Sequence, residues 1–275
     1  MKRYLLFISA IFLFLLAGIS LHAQEKTAYK TEKDILYRKG DNLTDYMKER
    51  CRLDVYYPEN KTDFTTIVWF HDGGLTGGGK FIPAHWKEKG FAVIAVNYRL
   101  APEVKCPAYI EDAAAAVDWV FRHIGKYGGS QEKIVLSGHS AGAYLVSMIG
   151  LDKHYLADLG IDANRIAALI PLSGFAITHK EIREEQDISE LKPIVDKFAP
   201  LYHVRADAPP FYLITGDREL EMLGRYEENA YLYRMMKLNG HKKTYLYELD
   251  GFNHGEMAVP ATELTLLILK QLGLN

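Results

Sequence analysis

The sequence has little cysteine and no excess of charge of either sign. Its 275 residues include two cysteines, 33 lysines and arginines, and 35 aspartates and glutamates. Two cysteines are too few for a disulfide scaffold or a thiolate zinc site. The balance of charge gives no electrostatic case for nucleic acid or an acidic membrane as a partner. The sequence also lacks a repeat at a fixed period, a low-complexity tract and a long Pro/Gly linker. What remains is the composition of an ordinary globular protein, 48% hydrophobic.

One long apolar run is present, near the N-terminus. Lys2 and Arg3 precede fifteen uncharged residues, Leu5–Ile19, and a short stretch ending in Ala23-Gln24 follows. A basic start, a short apolar run and a small residue before polar sequence are typical of a secretory signal peptide. The run is shorter than the ~20 residues that span a bilayer, which argues against an uncleaved anchor. We therefore expect residues 1–23 to be removed, leaving an exported protein, periplasmic or secreted, with no stable membrane span.

Export bears on the two cysteines. In an oxidising compartment, Cys51 and Cys106 are candidates for one disulfide. The sequence does not establish that the two side chains meet, so two separate thiols are an equally good expectation.

Short β-rich runs alternate with helical patterns along residues 24–275. The predicted strands are Arg52–Tyr57, Thr66–Phe70, Phe91–Asn97, Lys133–Ser137, Ala167–Leu172, Phe211–Thr215 and Lys243–Leu249. Several are apolar throughout, as expected for strands covered on both faces. A helix is predicted over Glu111–Lys126, ended by Gly128 and Gly129. The alternation predicts one α/β domain with a mostly parallel central sheet and helices on both faces.

One stretch departs from this alternation. Phe175–Pro210 is thirty-six residues long and rich in charge. A structureless loop of that length would be unusual, so we expect helices over the sheet edge. They would form either a solvated surface or a small cap that acts as a lid or specificity wall.

A candidate nucleophile lies in Gly138–Gly142, which reads Gly-His-Ser-Ala-Gly. A bare G-x-S-x-G match is weak, but this one follows a predicted strand and opens a helical run. A serine on such a sharp strand-to-helix turn has its hydroxyl raised above the sheet. The helix N-terminus behind it favours developing negative charge. We therefore predict Ser140 as a nucleophile rather than part of an incidental glycine-rich turn.

A serine hydroxyl needs a base to take its proton at neutral pH. In enzymes with this turn the chain order is serine, acid, histidine. His254 lies in Gly251–Gly255, just after the last predicted strand. His241 lies before that strand, on the wrong side. We predict His254 as the base.

The acid is expected after the preceding strand. Asp217 follows Phe211–Thr215 and Gly216 directly, and we predict that it accepts the hydrogen bond from the far ring nitrogen of His254. An aspartate at this position could instead cap a helix. The other carboxylates nearby are Glu219, Glu221 and Asp250.

A glycine-rich loop follows the predicted strand Thr66–Phe70 and begins His71-Asp72-Gly73-Gly74. Acyl transfer needs backbone N–H groups aimed at the oxygen that becomes charged, and glycines let the main chain approach closely. We expect the donors to be the N–H groups of Gly73, Gly74 and Ala141, with His71 bracing the loop. The alternative is a simple glycine-rich turn.

Together these motifs resemble the α/β-hydrolase superfamily, and within it the hormone-sensitive-lipase-like and bacterial feruloyl/acetylxylan esterase-like serine esterases. The matching segments are the HGGG-like loop His71–Gly74, the Tyr-Arg-Leu-Ala-Pro-Glu segment Tyr98–Glu103, the elbow Gly138–Gly142 and the histidine loop Gly251–Gly255. The resemblance covers roughly Cys51 to the C-terminus. It implies an α/β-hydrolase fold, a triad of Ser140, Asp217 and His254, no metal or other cofactor, and a small-molecule ester as substrate.

The chain departs from the family pattern in two places. Asp72 stands where the family has the first glycine after the histidine. The two donor glycines remain, so we expect the oxyanion hole to survive, although a carboxylate nearby could disfavour the oxyanion or shift the pH dependence. The stretch before Cys51 is too short for a larger N-terminal cap, so any lid must come mainly from Phe175–Pro210.

The expected reaction is hydrolysis of a carboxylic ester through an acyl-enzyme. Short acyl, acyl-sugar and feruloyl esters are the expected substrates. These residues identify neither the natural substrate nor the oligomeric state. The same triad cleaves amides if the leaving nitrogen is protonated, so a kynurenine-formamidase-like amidase or a peptidase is an alternative. A non-catalytic binding module of the same fold is a third, which the presence of candidates for all three triad positions disfavours.

Overall fold

Within residues 27–274, the part of the chain that this computed structural model describes, eight strands form one central sheet. The strands are β1 (Tyr29–Leu36), β2 (Arg52–Pro58), β3 (Phe64–Phe70), β4 (Ala92–Val96), β5 (Gly129–His139), β6 (Ala168–Leu172), β7 (Phe211–Gly216) and β8 (Thr244–Leu249). The helices are α1 (Asp45–Arg50), α2 (Ala108–His123), α3 (Ala141–Leu151), α4 (His154–Ala157), α5 (Lys180–Glu185), α6 (Arg225–Leu238) and α7 (Ala258–Gln271). The predicted leader, residues 1–23, lies outside the described residues. No helix of the described part is long and apolar enough to cross a membrane.

The strand order across the sheet is β1-β2-β4-β3-β5-β6-β7-β8. The first two pairings, β1 with β2 and β2 with β4, are antiparallel. All the later pairings are parallel. The predicted mostly parallel sheet is confirmed. Because parallel strands end at the same edge, the loops that follow β3, β5, β7 and β8 meet there.

Apolar sequence places the middle strands in the interior. β3 and β4 are buried along their whole length, because helices cover both faces of the sheet. One core cluster packs α2 and α3 against one face. A second cluster packs α7 against the other, where Trp69 of β3 meets Trp86 edge-on.

The helix predicted over Glu111–Lys126 is α2. It begins three residues earlier, at Ala108, and its last turn tightens into a 3₁₀ turn at Ile124–Tyr127. Gly128 ends it with a φ of +93°, and a Cβ there would lie 2.7 Å from the carbonyl oxygen of Lys61. Glycine is therefore required at this position.

Buried Asp112 of α2 holds the segment that follows β4. Its carboxylate accepts hydrogen bonds from the Arg99 side chain at 2.7 and 2.8 Å. It also accepts two from Arg38, at 3.0 and 2.7 Å. Because the carboxylate is fully buried and paired with two guanidinium groups, it fixes the Tyr98–Glu103 segment next to the sheet.

Residues 175–210 lie across the carboxyl edge of the sheet. They contain α5 and a 3₁₀ turn at Pro200–His203. The hydroxyl of Tyr144, one turn into α3, donates to the carbonyl oxygen of Phe198 at 2.7 Å. The carboxylate of Glu185 accepts from the amide of Cys106 at 2.9 Å. This segment is thus fastened beside the N-terminal turn of α3.

Both cysteines are free thiols. Cys51 is buried, and burial raises its pKa to about 11. Burial likewise raises the pKa of Cys106 to about 12. Of the two arrangements considered from the sequence, the structure has two separate thiols.

Candidate active site

Ser140 stands on the sharp turn between β5 and α3. Its φ is +53°, a left-handed conformation that is uncommon outside glycine. The flanking glycines are required by crowding: a Cβ at Gly142 would lie 2.1 Å from the carbonyl oxygen of Phe70, and one at Gly138 would lie 2.6 Å from the backbone of Gly142. The Gly-His-Ser-Ala-Gly sequence therefore allows a turn that presents the Ser140 hydroxyl above the sheet edge.

His254 reaches this hydroxyl from the loop after β8. Its Nε2 lies 2.9 Å from Ser140 Oγ. With Nδ1 protonated, Nε2 accepts the hydrogen bond that the hydroxyl donates. The structure therefore brings together the predicted nucleophile and the predicted base, which are 114 residues apart in the chain.

The carboxylate that faces the other ring nitrogen belongs to Glu221. Its Oε1 lies 2.6 Å from His254 Nδ1, and the side chain is fully buried. Burial alone would raise the pKa of Glu221, but hydrogen bonds from His254, the Met222 amide and the Ser173 hydroxyl outweigh it and hold the pKa at about 2. Glu221 is therefore ionised at neutral pH.

The prediction that Asp217 accepts the hydrogen bond from the far ring nitrogen of His254 was wrong. Asp217 Oδ1 accepts from the Glu219 amide at 2.8 Å, and Oδ2 accepts from the Gly251 amide at 2.7 Å. Its carboxylate is thus used to cap the turn after β7 and to tie that turn to the histidine loop. The Glu221 amide donates to the Asp217 carbonyl oxygen, so the chain turns once and places Glu221, not Asp217, beneath the imidazole. Glu221 was among the alternative carboxylates near Asp217, but no local sequence signal ranked it first.

The glycine-rich loop after β3 packs directly on the elbow. Gly73 and Gly74 have φ values of +111° and +64°. A Cβ at Gly73 would lie 2.3 Å from the carbonyl oxygen of Gly77, so this loop conformation requires glycine at position 73. Ala141 is the first residue of α3, and amides of a first helical turn have no intrahelical partner. The three predicted donors therefore belong to two segments that are in contact beside Ser140.

His71 stacks on Tyr98 with ring centroids 4.4 Å apart. Its Nδ1 donates to the Asp72 carbonyl oxygen at 2.6 Å, and the Tyr98 hydroxyl donates to the His71 carbonyl oxygen at 2.9 Å. Burial lowers the pKa of His71 to about 4, so the ring is neutral near pH 7. These contacts agree with a bracing role for His71.

Comparison with known proteins decides the family. Residues 53–222, more than half of the chain, match the BD-FAE family model. The chain belongs to the BD-FAE family. Among curated relatives, the probable carboxylic ester hydrolase LipM of Mycobacterium tuberculosis is 27% identical over 162 residues, 52% of this chain and 37% of its own. Esterase LipC of the same organism is 25% identical over 207 residues, 68% of this chain and 50% of its own. The chain spans half or less of the length of these curated relatives.

Solved structures show the same fold over nearly the whole chain. A truncated carbohydrate esterase from gut microbiota superposes with a TM-score of 0.71 at 19% identity, covering 91% of this chain and 99% of that one. Thermogutta terrifontis esterase 2, phosphoramylated by tabun, superposes with a TM-score of 0.69 at 24% identity, covering 92% and 98%. The predicted α/β-hydrolase fold is confirmed.

In this BD-FAE family member, Asp72 stands where its charge could have opposed the oxyanion, but its carboxylate faces a histidine. Its carboxylate lies 3.6 Å from Nδ1 of His139, the residue before the nucleophile. The nearby His139 side chain holds the pKa of Asp72 below its usual range. His139 Nε2 in turn donates to the His254 carbonyl oxygen at 2.9 Å. Asp72 and His139 therefore support the histidine loop, a role for His139 that the sequence did not reveal.

A cleft of about 700 Å³, called here the cleft beside Glu221, is lined in part by the residues that follow Glu221 in the chain, beginning with Met222. It separates residues 175–193 from the start of α6. The lining includes Phe175, Arg183, Leu191, Met222, Leu223 and Tyr231. Leu223 is fully exposed and Leu191 nearly so, so the cleft has an apolar rim that is open to solvent.

Proposed function

We propose that this BD-FAE family member is a serine carboxylesterase that works through an acyl-enzyme on Ser140. One observation carries the proposal: Ser140 Oγ, the His254 ring and the Glu221 carboxylate form a continuous hydrogen-bonded line, with steps of 2.9 and 2.6 Å. A buried carboxylate, an imidazole and a serine on a strained turn form the arrangement that activates a hydroxyl as a nucleophile. The names of LipM and LipC, an ester hydrolase and an esterase, agree with it.

The first half of the reaction follows from these contacts. As Ser140 Oγ attacks the ester carbonyl carbon, its proton moves to His254 Nε2. The Glu221 carboxylate stabilises the imidazolium that forms. The amides of Gly73, Gly74 and Ala141 stabilise the negative charge on the carbonyl oxygen. When the tetrahedral intermediate collapses, His254 Nε2 returns the proton to the leaving alkoxide, and the acyl group stays on Ser140.

Water completes the cycle with the same groups. His254 takes a proton from a water molecule, the hydroxide attacks the acyl carbon, and Ser140 leaves as its hydroxyl form with the proton from Nε2. Each step uses one proton carrier and one oxyanion site, so the chain's own side chains and backbone amides account for the hydrolysis of a small-molecule ester.

The cleft beside Glu221 is proposed to hold the variable part of the substrate. The lining residue Phe175 lies two positions after Ser173, and the lining residue Met222 follows Glu221 directly. In this proposal, an ester bound at Ser140 extends its acyl or alcohol group into the cleft. In this role residues 175–210 act as the specificity wall that the sequence suggested.

The proposed enzyme acts outside the cytoplasm, in the periplasm or as a secreted protein, after removal of residues 1–23. The support is the basic start and short apolar run of that segment. N-terminal sequencing of protein recovered from the extracytoplasmic fraction should begin at Gln24. A chain that begins at Met1 and stays with the cytoplasmic fraction contradicts this part of the proposal.

Turnover of a substrate panel tests the function itself. The panel contains short p-nitrophenyl esters, acetylated sugars, a feruloyl ester and an N-formyl amide, and is run with the wild type and with Ser140→Ala. We expect ester hydrolysis that falls by about 10⁵-fold or more in the variant. Preference for the amide would favour the amidase alternative, and full activity of Ser140→Ala would overturn the proposal.

A further inference from the structure

Ser173 is a buried residue that contacts both the acid and the base. Its hydroxyl oxygen lies 2.8 Å from Glu221 Oε2 and 2.9 Å from His254 Nδ1. It follows the last residue of β6 and is fully buried. No sequence motif marks it, and the proposed reaction does not use it.

The two contacts fit one hydroxyl without conflict. The Ser173 O–H donates its single proton to Glu221 Oε2, and its oxygen then accepts from the Nδ1–H of His254. That N–H also points at Glu221 Oε1, 2.6 Å away, so the Nδ1 proton lies between a carboxylate and a hydroxyl oxygen. This network requires the proton to be on Nδ1, which leaves Nε2 free to accept the Ser140 proton.

The Glu221 carboxylate is held from several sides. Oε1 accepts from the Met222 amide at 2.9 Å, and Oε2 accepts from the Gly216 amide at 3.1 Å. Those two donors belong to the same β7 turn as Glu221 itself. Ser173 directly follows a different strand, β6, so its hydroxyl links the acid and the base to a neighbouring part of the sheet.

Several interactions hold Ser173 in place. Its amide donates to the Ile214 carbonyl oxygen of β7 at 2.7 Å. Its carbonyl oxygen accepts from the buried guanidinium of Arg225 on α6, which also lies 3.8 Å over the Phe175 ring. Its φ is +51°. A non-glycine residue held in this region signals a position that its surroundings enforce, and such positions cluster at active sites.

We infer that Ser173 is a positioning residue of this active site. Its hydroxyl keeps the Glu221 carboxylate and the His254 ring in the orientation and tautomer in which Nε2 faces Ser140. The inference rests on the proposed function, because it assigns Ser173 a part in the same proton transfer. Without the hydroxyl, the ring and the carboxylate lose their shared partner and the productive geometry is populated less.

Two variants remove the hydroxyl with different effects on the backbone. Ser173→Ala keeps a Cβ in the left-handed conformation, whereas Ser173→Gly relieves it and so protects folding. Ser137→Ala is the matched control, since Ser137 is an equally buried serine whose hydroxyl donates to the Ile170 carbonyl oxygen at 2.7 Å. The control loses a buried hydrogen bond of the same kind on β5, at a position that does not touch Glu221 or His254.

Steady-state kinetics and proton NMR make the test. We expect both Ser173 variants to lower kcat by roughly 10- to 100-fold with little change in KM, because a small misplacement of a catalytic group costs that much. We also expect the downfield resonance of the His254 Nδ1 proton to shift or broaden in both variants. Ser137→Ala should keep the kcat and the resonance of the wild type.

Three results would overturn the inference. One is a kcat within twofold of the wild type in a folded Ser173 variant. Another is a fall in kcat with an unchanged Nδ1 resonance, which would indicate a structural role only. The third is an equal fall in kcat for Ser137→Ala. Ser140→Ala distinguishes failure of the inference about Ser173 from failure of the proposed function. If Ser140→Ala is inactive while the Ser173 variants are fully active, only the inference about Ser173 fails.

Discussion

The carboxylate of Glu221 lies 2.6 Å from Nδ1 of His254 and is completely buried there. The two residues come from separate loops, after β7 and after β8, that are joined by the hydrogen bond from the Gly251 amide to Asp217. In the proposed reaction, proton transfer to His254 depends on this pair, because the imidazolium that forms needs a fixed negative charge next to it.

The first prediction compares the two carboxylates of the β7 turn. Glu221→Gln should lower kcat by about 10³- to 10⁴-fold, because the amide stabilises neither the tautomer nor the imidazolium. Asp217→Asn is the control; its side chain still accepts backbone hydrogen bonds, so kcat should stay within a few-fold of the wild type. Steady-state kinetics on one ester measures both, and a larger loss in Asp217→Asn than in Glu221→Gln would contradict the assignment.

The second prediction concerns stability against pH. Hydrogen bonds hold the pKa of Glu221 at about 2, below its usual 4.5. A carboxyl with a depressed folded-state pKa contributes stability above its unfolded pKa, and this contribution is lost as the pH falls through the folded pKa. The free energy of unfolding of the wild type, relative to Glu221→Gln, should therefore fall between pH 4.5 and pH 2. Denaturant titrations of both proteins across this range measure it, and a constant difference would contradict the ionised, buried acid.

Sequence reasoning succeeded where the signal is local. The strands β3 and β4 were predictable because their sequences are largely apolar. The elbow was predictable because only glycine fits at the two crowded positions that flank its serine. β1 was missed because its sequence, YKTEKDIL, is mostly charged or polar, as suits an edge strand half exposed to water.

The acid and its partner were not predictable in the same way. Asp217 has the expected position after β7, but its carboxylate already accepts hydrogen bonds from the amides of Glu219 and Gly251. It is therefore not available to His254. Ser173 contacts the acid only because β6 and β7 are neighbours in the sheet. Neither fact can be deduced from spacing along the chain.

The third prediction tests Asp72. Because its carboxylate is half exposed to water and lies 3.6 Å from His139, we expect its charge to be screened and not to weaken the oxyanion hole. Asp72→Asn and Asp72→Gly should therefore give a kcat at or below that of the wild type, the loss arising from a looser histidine loop. A rise in kcat of about tenfold, equivalent to about 1.4 kcal/mol of transition-state stabilisation, would show that the carboxylate does oppose the oxyanion.

The fourth prediction tests the cleft beside Glu221. Leu223 is fully exposed on its rim, so Leu223→Asp should leave folding intact. It should raise the KM for esters with long or aromatic groups and leave the KM for acetyl esters unchanged. Leu238→Asp, an exposed leucine at the far end of α6, is the control. Equal KM values for all esters in both variants would exclude the cleft as the substrate site.

Covalent labelling of Ser140 tests the central claim most directly. A fluorophosphonate traps an activated serine because attack on phosphorus requires the same base and oxyanion donors as attack on an ester. Intact-mass measurement and peptide mapping should find one adduct on the wild type, located on Ser140, and none on Ser140→Ala. An unlabelled wild type, or a label carried by another residue, would contradict the account.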